Sequence, residues 1–115
     1  MNNIHPTAII DDYAQIHPSS KISSYAIIKG SVIINKNCII GNHVTIGADP
    51  VTDIVKKLKN TIVIDEGCQI GDGSIIQSGC VSSTKIGKNT KINYNSLIGH
   101  GTVIGKNCFI GLNNS

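Results

Sequence analysis

Isoleucine returns every six residues from the start of the chain, at Ile4, Ile10, Ile16, Ile22, Ile28, Ile34, Ile40 and Ile46. Two positions before each, from the second onward, stands a small or slim residue: Ala8, Ala14, Ser20, Ala26, Val32, Cys38 and Val44. The residue after is often glycine or polar. The same phase holds at Ile64, Ile70 and Ile76, partnered by Ile62, Cys68 and Ser74. After Ser82 it slips by four residues, then resumes at Ile86, Ile92, Ile98, Ile104 and Ile110 with Thr84, Thr90, Ser96, Thr102 and Cys108 two before them.

A period of six fits neither a long helix nor a long flat strand, since a helix face recurs about every 3.6 residues and a strand face about every 2. Six residues are three strand pleats, so each repeat has room for a short strand and a tight turn. The isoleucine and its i−2 neighbour then point the same way, one large and one small, which is the layering a narrow interior needs. Glycine after the large residue suits a turn with positive φ. The pattern predicts an all-β chain of short strands and tight turns.

The frame stops between Gly47 and Asn60, where "GADPVTDIVKKLKN" puts only Thr52 and Leu58 in phase. Pro50 cannot donate a ladder hydrogen bond and "ADP" favours a turn, so a loop extruded from a corner is expected around residues 47–61, with one helical turn in "TDIVKKLK". Its lysines, Lys56, Lys57 and Lys59, read either as a solvated surface or as a lure for a phosphate-bearing ligand. Long excursions inside compact domains more often serve function than not. The "SSTK" run at 82–85 is a smaller corner insertion.

With 115 residues the chain is expected to be one domain, 1–115, open at its C-terminal end. Hydrophobic residues make up 40% and aromatics 3%, so the core must be aliphatic. A net charge of +3, with no basic run interleaved with aromatics, makes no case for nucleic acid. "MNNIHPTAII" has no signal-peptide pattern and no window approaches a membrane span, which reads as a cytoplasmic chain. Cys38, Cys68, Cys80 and Cys108 form no CxxC pair and all occupy the slim i−2 slot, so they read as small inward residues and not as ligands.

The register as a whole resembles the hexapeptide-repeat family, whose members fold as left-handed parallel β-helices with three hexads to a triangular coil. Sixteen frames then make about five coils, each rising ~4.8 Å. Within that family "IHPTAIIDDYAQIHPSSKI" is similar to the first coils of the acyltransferases that build lipid A. The segment "KINYNSLIGHGTVIGKNCFIG" is similar to the most distinctive part of their UDP-sugar N- and O-acyltransferase branches. The resemblance implies transfer of an acyl group from acyl carrier protein or a coenzyme A thioester to an amine or hydroxyl of a nucleotide-linked sugar. It also implies a homotrimer with the site in a cleft between subunits, no metal and no tightly bound cofactor. His100 takes the place of the general base. Asn93, Asn95 and Gly99 of the same segment, with Lys56 and Lys57 of the loop, become candidate substrate contacts, and Asn93 or Asn95 a candidate to orient the ring.

His100 also has a physical case of its own. It follows Ile98 and Gly99 at the turn position held elsewhere by Asp12, Ser24, Lys36, Asn42, Asp72, Lys88 and Lys106, so its side chain should project outward. An imidazole, with an ordinary pKa of about 6.5, can take the proton from a hydroxyl or amine as that group attacks a thioester. His5 and His17, each before a proline, and His43 in "GNHV" read as corner residues. The resemblance implies a backbone N–H for the oxyanion on the coil above His100, which the chain is expected to leave incomplete at Ser115; losing one such donor costs about 10²–10³ in rate.

Two rivals remain from the sequence: a small acetyltransferase using acetyl-coenzyme A, separable by acyl-chain dependence, and a non-catalytic β-helix that only assembles. A γ-type carbonic anhydrase shares the fold but needs several histidines converging on a metal. No second histidine lies near His100 in the chain.

Overall fold

The structure, a computed structural model, describes residues 3–48, 61–79 and 82–111. Every strand there is short, two to four residues, because each hexad bends at its turn before a longer strand can form. The strands stack in parallel into three faces. The first face holds Asn3–Ile4, Lys21–Ile22, Ile39–Ile40, Gln69–Ile70, Lys91–Ile92 and Phe109–Ile110. The second holds Ile9–Ile10, Ile27–Ile28, Thr45–Ala48, Ile75–Gln77 and Leu97–Ile98. The third holds Gln15–Ile16, Val32–Ile34, Ile62–Ile64, Thr84–Ile86 and Val103–Ile104. This is a parallel β-helix of five coils with one further strand on the first face, consistent with the left-handed β-helix that the family resemblance implies.

Register exposes the two irregularities as arithmetic. Isoleucines pair with isoleucines eighteen residues on, as in Ile4↔Ile22 and Ile22↔Ile40. Across the loop the offset becomes thirty, Ile40↔Ile70 and Ile34↔Ile64, and across the second slip it becomes twenty-two, Ile70↔Ile92 and Ile64↔Ile86. The extra twelve residues are a whole number of hexads, so the phase survives them; the extra four are not. The helical turn expected in residues 52–59, together with Lys56 and Lys57, lies outside the described residues.

Ile22, Ile28, Ile34, Ile40, Ile46, Ile62, Ile64, Ile70, Ile76, Ile86 and Ile92 are buried, while Ile4 and Ile110 in the end coils are half-buried. Each buried isoleucine is capped by its equivalents above and below. The slim i−2 positions do a second job at the corners. Ser20 Oγ and Thr90 Oγ1 donate to the carbonyls of Asn35 and Gly105 on the coil above, and accept the N–H of Cys38 and Cys108. The thiols of Cys38 and Cys68 donate likewise, to the carbonyls of Asp65 at 3.1 Å and Gly87 at 3.0 Å. Backbone groups that a corner would leave unpaired are satisfied from inside.

His5 and His17 sit at corners, where each Nδ1 accepts the N–H of the residue two further on, Thr7 at 3.2 Å and Ser19 at 3.1 Å. The hydroxyls of Thr7 and Ser19 in turn accept the N–H of Tyr25 and Asn37 one coil above. His43 occupies a left-handed turn position, φ 58°, and stacks on Tyr25. These three imidazoles hold turns.

Cys38 and Cys68 are buried; Cys108, in the last coil, is half-buried, and Cys80 lies outside the described residues. The neighbouring thiol of Cys68 pulls Cys38 down to about 7, and the same contact, with burial, pushes Cys68 up. At most one thiolate of the pair therefore forms. Both side chains are 0–1% exposed, so access limits their chemistry more than ionisation does. A maleimide reagent is expected to label Cys108 well before Cys38 or Cys68 in native protein, with all of them reacting in denaturant. Rapid native labelling of Cys38 and Cys68 contradicts the inward register.

Candidate active site

The corner between the second and third faces differs from the other two. The first two coils turn there tightly, at 11–14 and around Gly30, the third gives rise to the segment 49–60, and the fourth carries the four-residue excess near 78–83. The fifth returns to a tight turn at His100 and Gly101. His100 therefore lies at the corner from which the segment 49–60 departs, two coils above its point of departure. Its side chain is exposed, as its turn position requires.

What fixes this turn comes from the coil below. Strand Ile75–Gln77 pairs with Leu97–Ile98 so that Ile76 lies under Ile98, which places Gln77 beneath Gly99. The N–H of Gly101 donates to Thr84 Oγ1 at 2.9 Å, and that hydroxyl donates to the carbonyl of Gln77, also at 2.9 Å. Thr84 is buried, so a single hydroxyl ties the His100 turn to both ends of the excess segment below. Gly101 has φ 73°, which glycine adopts without strain, and a Cβ there would come to 3.2 Å from Ser82 Oγ, so a side chain at this position would need that hydroxyl to give way. A Cβ on Gly99 would meet Gln77 Oε1 and Thr102 Oγ1 at 4.0 Å, an ordinary contact. Gln77, Ser82 and Thr84 are the neighbours that sequence reading missed; counting twenty-two residues back from Gly99, the offset set by the slip, finds the first of them.

Asn93 and Asn95 lie at the preceding corner, between the first and second faces, and the structure does not bring them to His100. The strand Leu97–Ile98 stands between Asn95 and His100, which the chain can hold at most about 18 Å apart. Asn93 Oδ1 accepts the N–H of Tyr94 at 2.8 Å, and Asn95 adopts φ 55° with its Oδ1 packed over Gly73 of the coil below. Gly99 adjoins His100 directly.

A concavity of about 770 Å³ lies elsewhere, on the first face over the first three coils, lined by Ile22 and Ile39 and by Asn3, His5, Lys21 and Asn42. Among the described residues no group of three or more His, Cys, Asp or Glu side chains is arranged to hold a metal ion. No helix there is long and apolar enough to cross a membrane.

The family model described as bacterial transferase hexapeptide, six repeats, matches residues 13–48 and 83–111. Among solved structures the chain is similar to the UDP-N-acetylglucosamine acyltransferase of Francisella novicida, with a TM-score of 0.72 and 26% identity. The similarity covers 90% of this chain and 45% of that enzyme, so the chain spans less than half the enzyme's length. Comparison with curated protein sequences gives no match.

Proposed function

The chain belongs to the bacterial transferase hexapeptide family, and from that membership we propose that it transfers an acyl group from a thioester to a hydroxyl or amine of a nucleotide-linked sugar. The observation that carries this reading is the His100 turn: an exposed imidazole on the corner from which the segment 49–60 departs, in a turn pinned from below by Thr84. The likeness to a UDP-N-acetylglucosamine acyltransferase supports a UDP-sugar acceptor, and with it a cytoplasmic role in lipid A assembly.

In the proposed step an acceptor O–H or N–H attacks the thioester carbonyl while His100 takes its proton. The tetrahedral adduct collapses, the C–S bond breaks, and the proton passes to the departing thiolate, leaving an ester or amide and a free thiol. Gly99, without a side chain, lets substrate approach the ring; Lys56 and Lys57 belong to the acceptor's phosphates in this reading. Asn93 and Asn95 act at a distance from the ring, on the extended part of a substrate.

A flat wall needs a second wall to make a cleft. The outward positions of the second face are Ile9, Ile27, Thr45, Ile75 and Leu97, with Ile9 63% and Leu97 64% exposed. That apolar ladder supports packing against another protomer beside the His100 corner, and so a homotrimer.

A donor series tests the reading. Incubation with UDP-N-acetylglucosamine or its 3-O-acylated glucosamine relative, and with acyl-carrier-protein or coenzyme A thioesters from acetyl to long hydroxyacyl, should give acylated sugar with a preference for long chains. Preference for acetyl-coenzyme A moves the chain to the small acetyltransferases, and silence with every pair leaves a β-helix that only assembles.

A further inference from the structure

The chain has four aromatic residues, Tyr13, Tyr25, Tyr94 and Phe109, and none of them belongs to the core. All four are more than half exposed, the least of them at 57%. An interior built from columns of isoleucine has no place for a ring, so these rings serve the surface. Three of them gather on one side of the stack. Phe109 stands at an outward position of the first face, Tyr94 at the corner between the first and second faces, and Tyr25 at that same corner three coils below, stacked on His43. The corner that bears His100 joins the second and third faces, so the first face is the wall opposite it.

That wall is hollowed. The concavity of about 770 Å³ over its first three coils is followed by one of about 270 Å³ over the coils above, lined by Tyr94 and Phe109; Ile39 lines both, so they form one trough along the stack. Its outward column runs Asn3, Lys21, Ile39, Gln69, Lys91 and Phe109, one residue per coil and about 4.8 Å apart. No carboxylate stands in that column. Among the described residues lining the two hollows the single acid is Asp72, whose Oδ1 already accepts the N–H of Asn42 at 2.8 Å. Amides take the place of charge: Asn3, Asn37, Asn42 and Gln69 all line the trough. Asn42 Oδ1 accepts the N–H of Ser24 at 3.1 Å, which leaves the amide's two N–H groups for a ligand. An amide both donates and accepts, as a hydroxyl does, while Ile39 and the rings offer apolar area beside it.

We propose that this trough binds a linear, neutral polysaccharide, one pyranose ring to each coil. The proposal goes beyond the acyl-transfer reading and does not depend on it, since it needs neither His100 nor a thioester. A sugar ring presents the two surfaces that the trough complements: hydroxyls around its rim, and C–H faces that lie against aromatic and aliphatic side chains. In an extended glycan each ring is about as long as one coil is high, so successive rings meet successive outward side chains without slipping out of step. The sparse charge excludes a polyanion from this wall. Lys21 and Lys91 stand three coils apart, about 14 Å, whereas a polyanion would call for a cation at every coil or two. A volume of about 770 Å³ in the lower hollow alone is within the range of small-ligand sites.

Calorimetry of the full chain with cello-oligosaccharides and with N-acetylglucosamine oligomers tests this, apart from any turnover. Affinity should rise with length from two rings to six, the number of strands on the first face, and change little with salt. Gln69→Ala/Phe109→Ala should weaken binding of the hexamer about tenfold or more, through the loss of one ring and one amide. Val103→Ala, which trims an equally exposed apolar side chain on the third face, should leave it within about twofold. Melting temperature and light scattering establish that the variants fold and assemble as the parent does. Absence of binding by every oligomer, affinity that ignores length, or equal loss from Val103→Ala overturns the proposal. So does a change of oligomeric state in the double variant, which would make the first face an interface between copies. Displacement of the hexamer by UDP-N-acetylglucosamine overturns it as well, by placing the sugar at the His100 site. Length-dependent binding that survives His100→Ala, in a chain that acylates no sugar, would uphold the trough and sink the acyl-transfer reading, so the two failures are distinct.

Discussion

Ile40→Ala is expected to destabilise the fold by about 2–5 kcal/mol, the range for truncating a fully buried aliphatic side chain that leaves a cavity. Ile40 is 0% exposed and lies between Ile22 below and Ile70 above in one column. In a linear stack each coil touches only its neighbours, so the interior cannot collapse sideways to fill the gap. The damage also falls at two coil interfaces at once. Ile110→Ala removes the same atoms from a half-buried site in the last strand of its face and should cost clearly less. Lys85→Ala, at an exposed outward position, should stay within about 0.5 kcal/mol. Chemical denaturation at one fixed protein concentration checks this, since assembly would otherwise shift the midpoint. Equal losses at Ile40 and Ile110 would show that the column does not carry the stability.

The inward register was legible because a narrow triangular interior tolerates little else: a large residue at one position, a slim one two before it. The thirty-residue offset between Ile40 and Ile70 leaves the phase intact, whereas the twenty-two-residue offset between Ile70 and Ile92 breaks it, and both are visible in the isoleucines alone. What the pattern leaves out is which corner each turn belongs to. Asn95 is five residues from His100 in the chain and a whole face away in space. Gln77 is more distant in sequence yet stacks beneath Gly99. Thr84 looked like another slim core residue, and its hydroxyl turned out to hold the His100 turn because it lies where the excess segment rejoins the coil. The trough was invisible for the same reason: Ile39, Gln69 and Phe109 form no run, and only winding brings them into one column.

His100→Ala is expected to lower acyl transfer by about 10²–10⁴, the contribution of a positioned general base. That equals roughly 3–5.5 kcal/mol of barrier. The effect should fall on kcat, because a proton acceptor matters as the nucleophile forms its bond, while binding of the sugar and of the carrier depends on other groups. Stability should barely change. His100 is exposed at a turn whose shape is set by Gly101 and by the Thr84 bridge, neither of which needs the imidazole. His100→Gln separates the two roles a ring can play: it keeps a hydrogen-bonding side chain of similar reach but has no basic nitrogen, so it should be nearly as slow as alanine. Initial rates over a substrate series, with melting curves for each variant, give the comparison. If both variants retain rates within a few-fold of the parent, the base lies elsewhere. The segment 49–60 would then be the place to look, since it leaves from the same corner and His100 is the only imidazole there among the described residues.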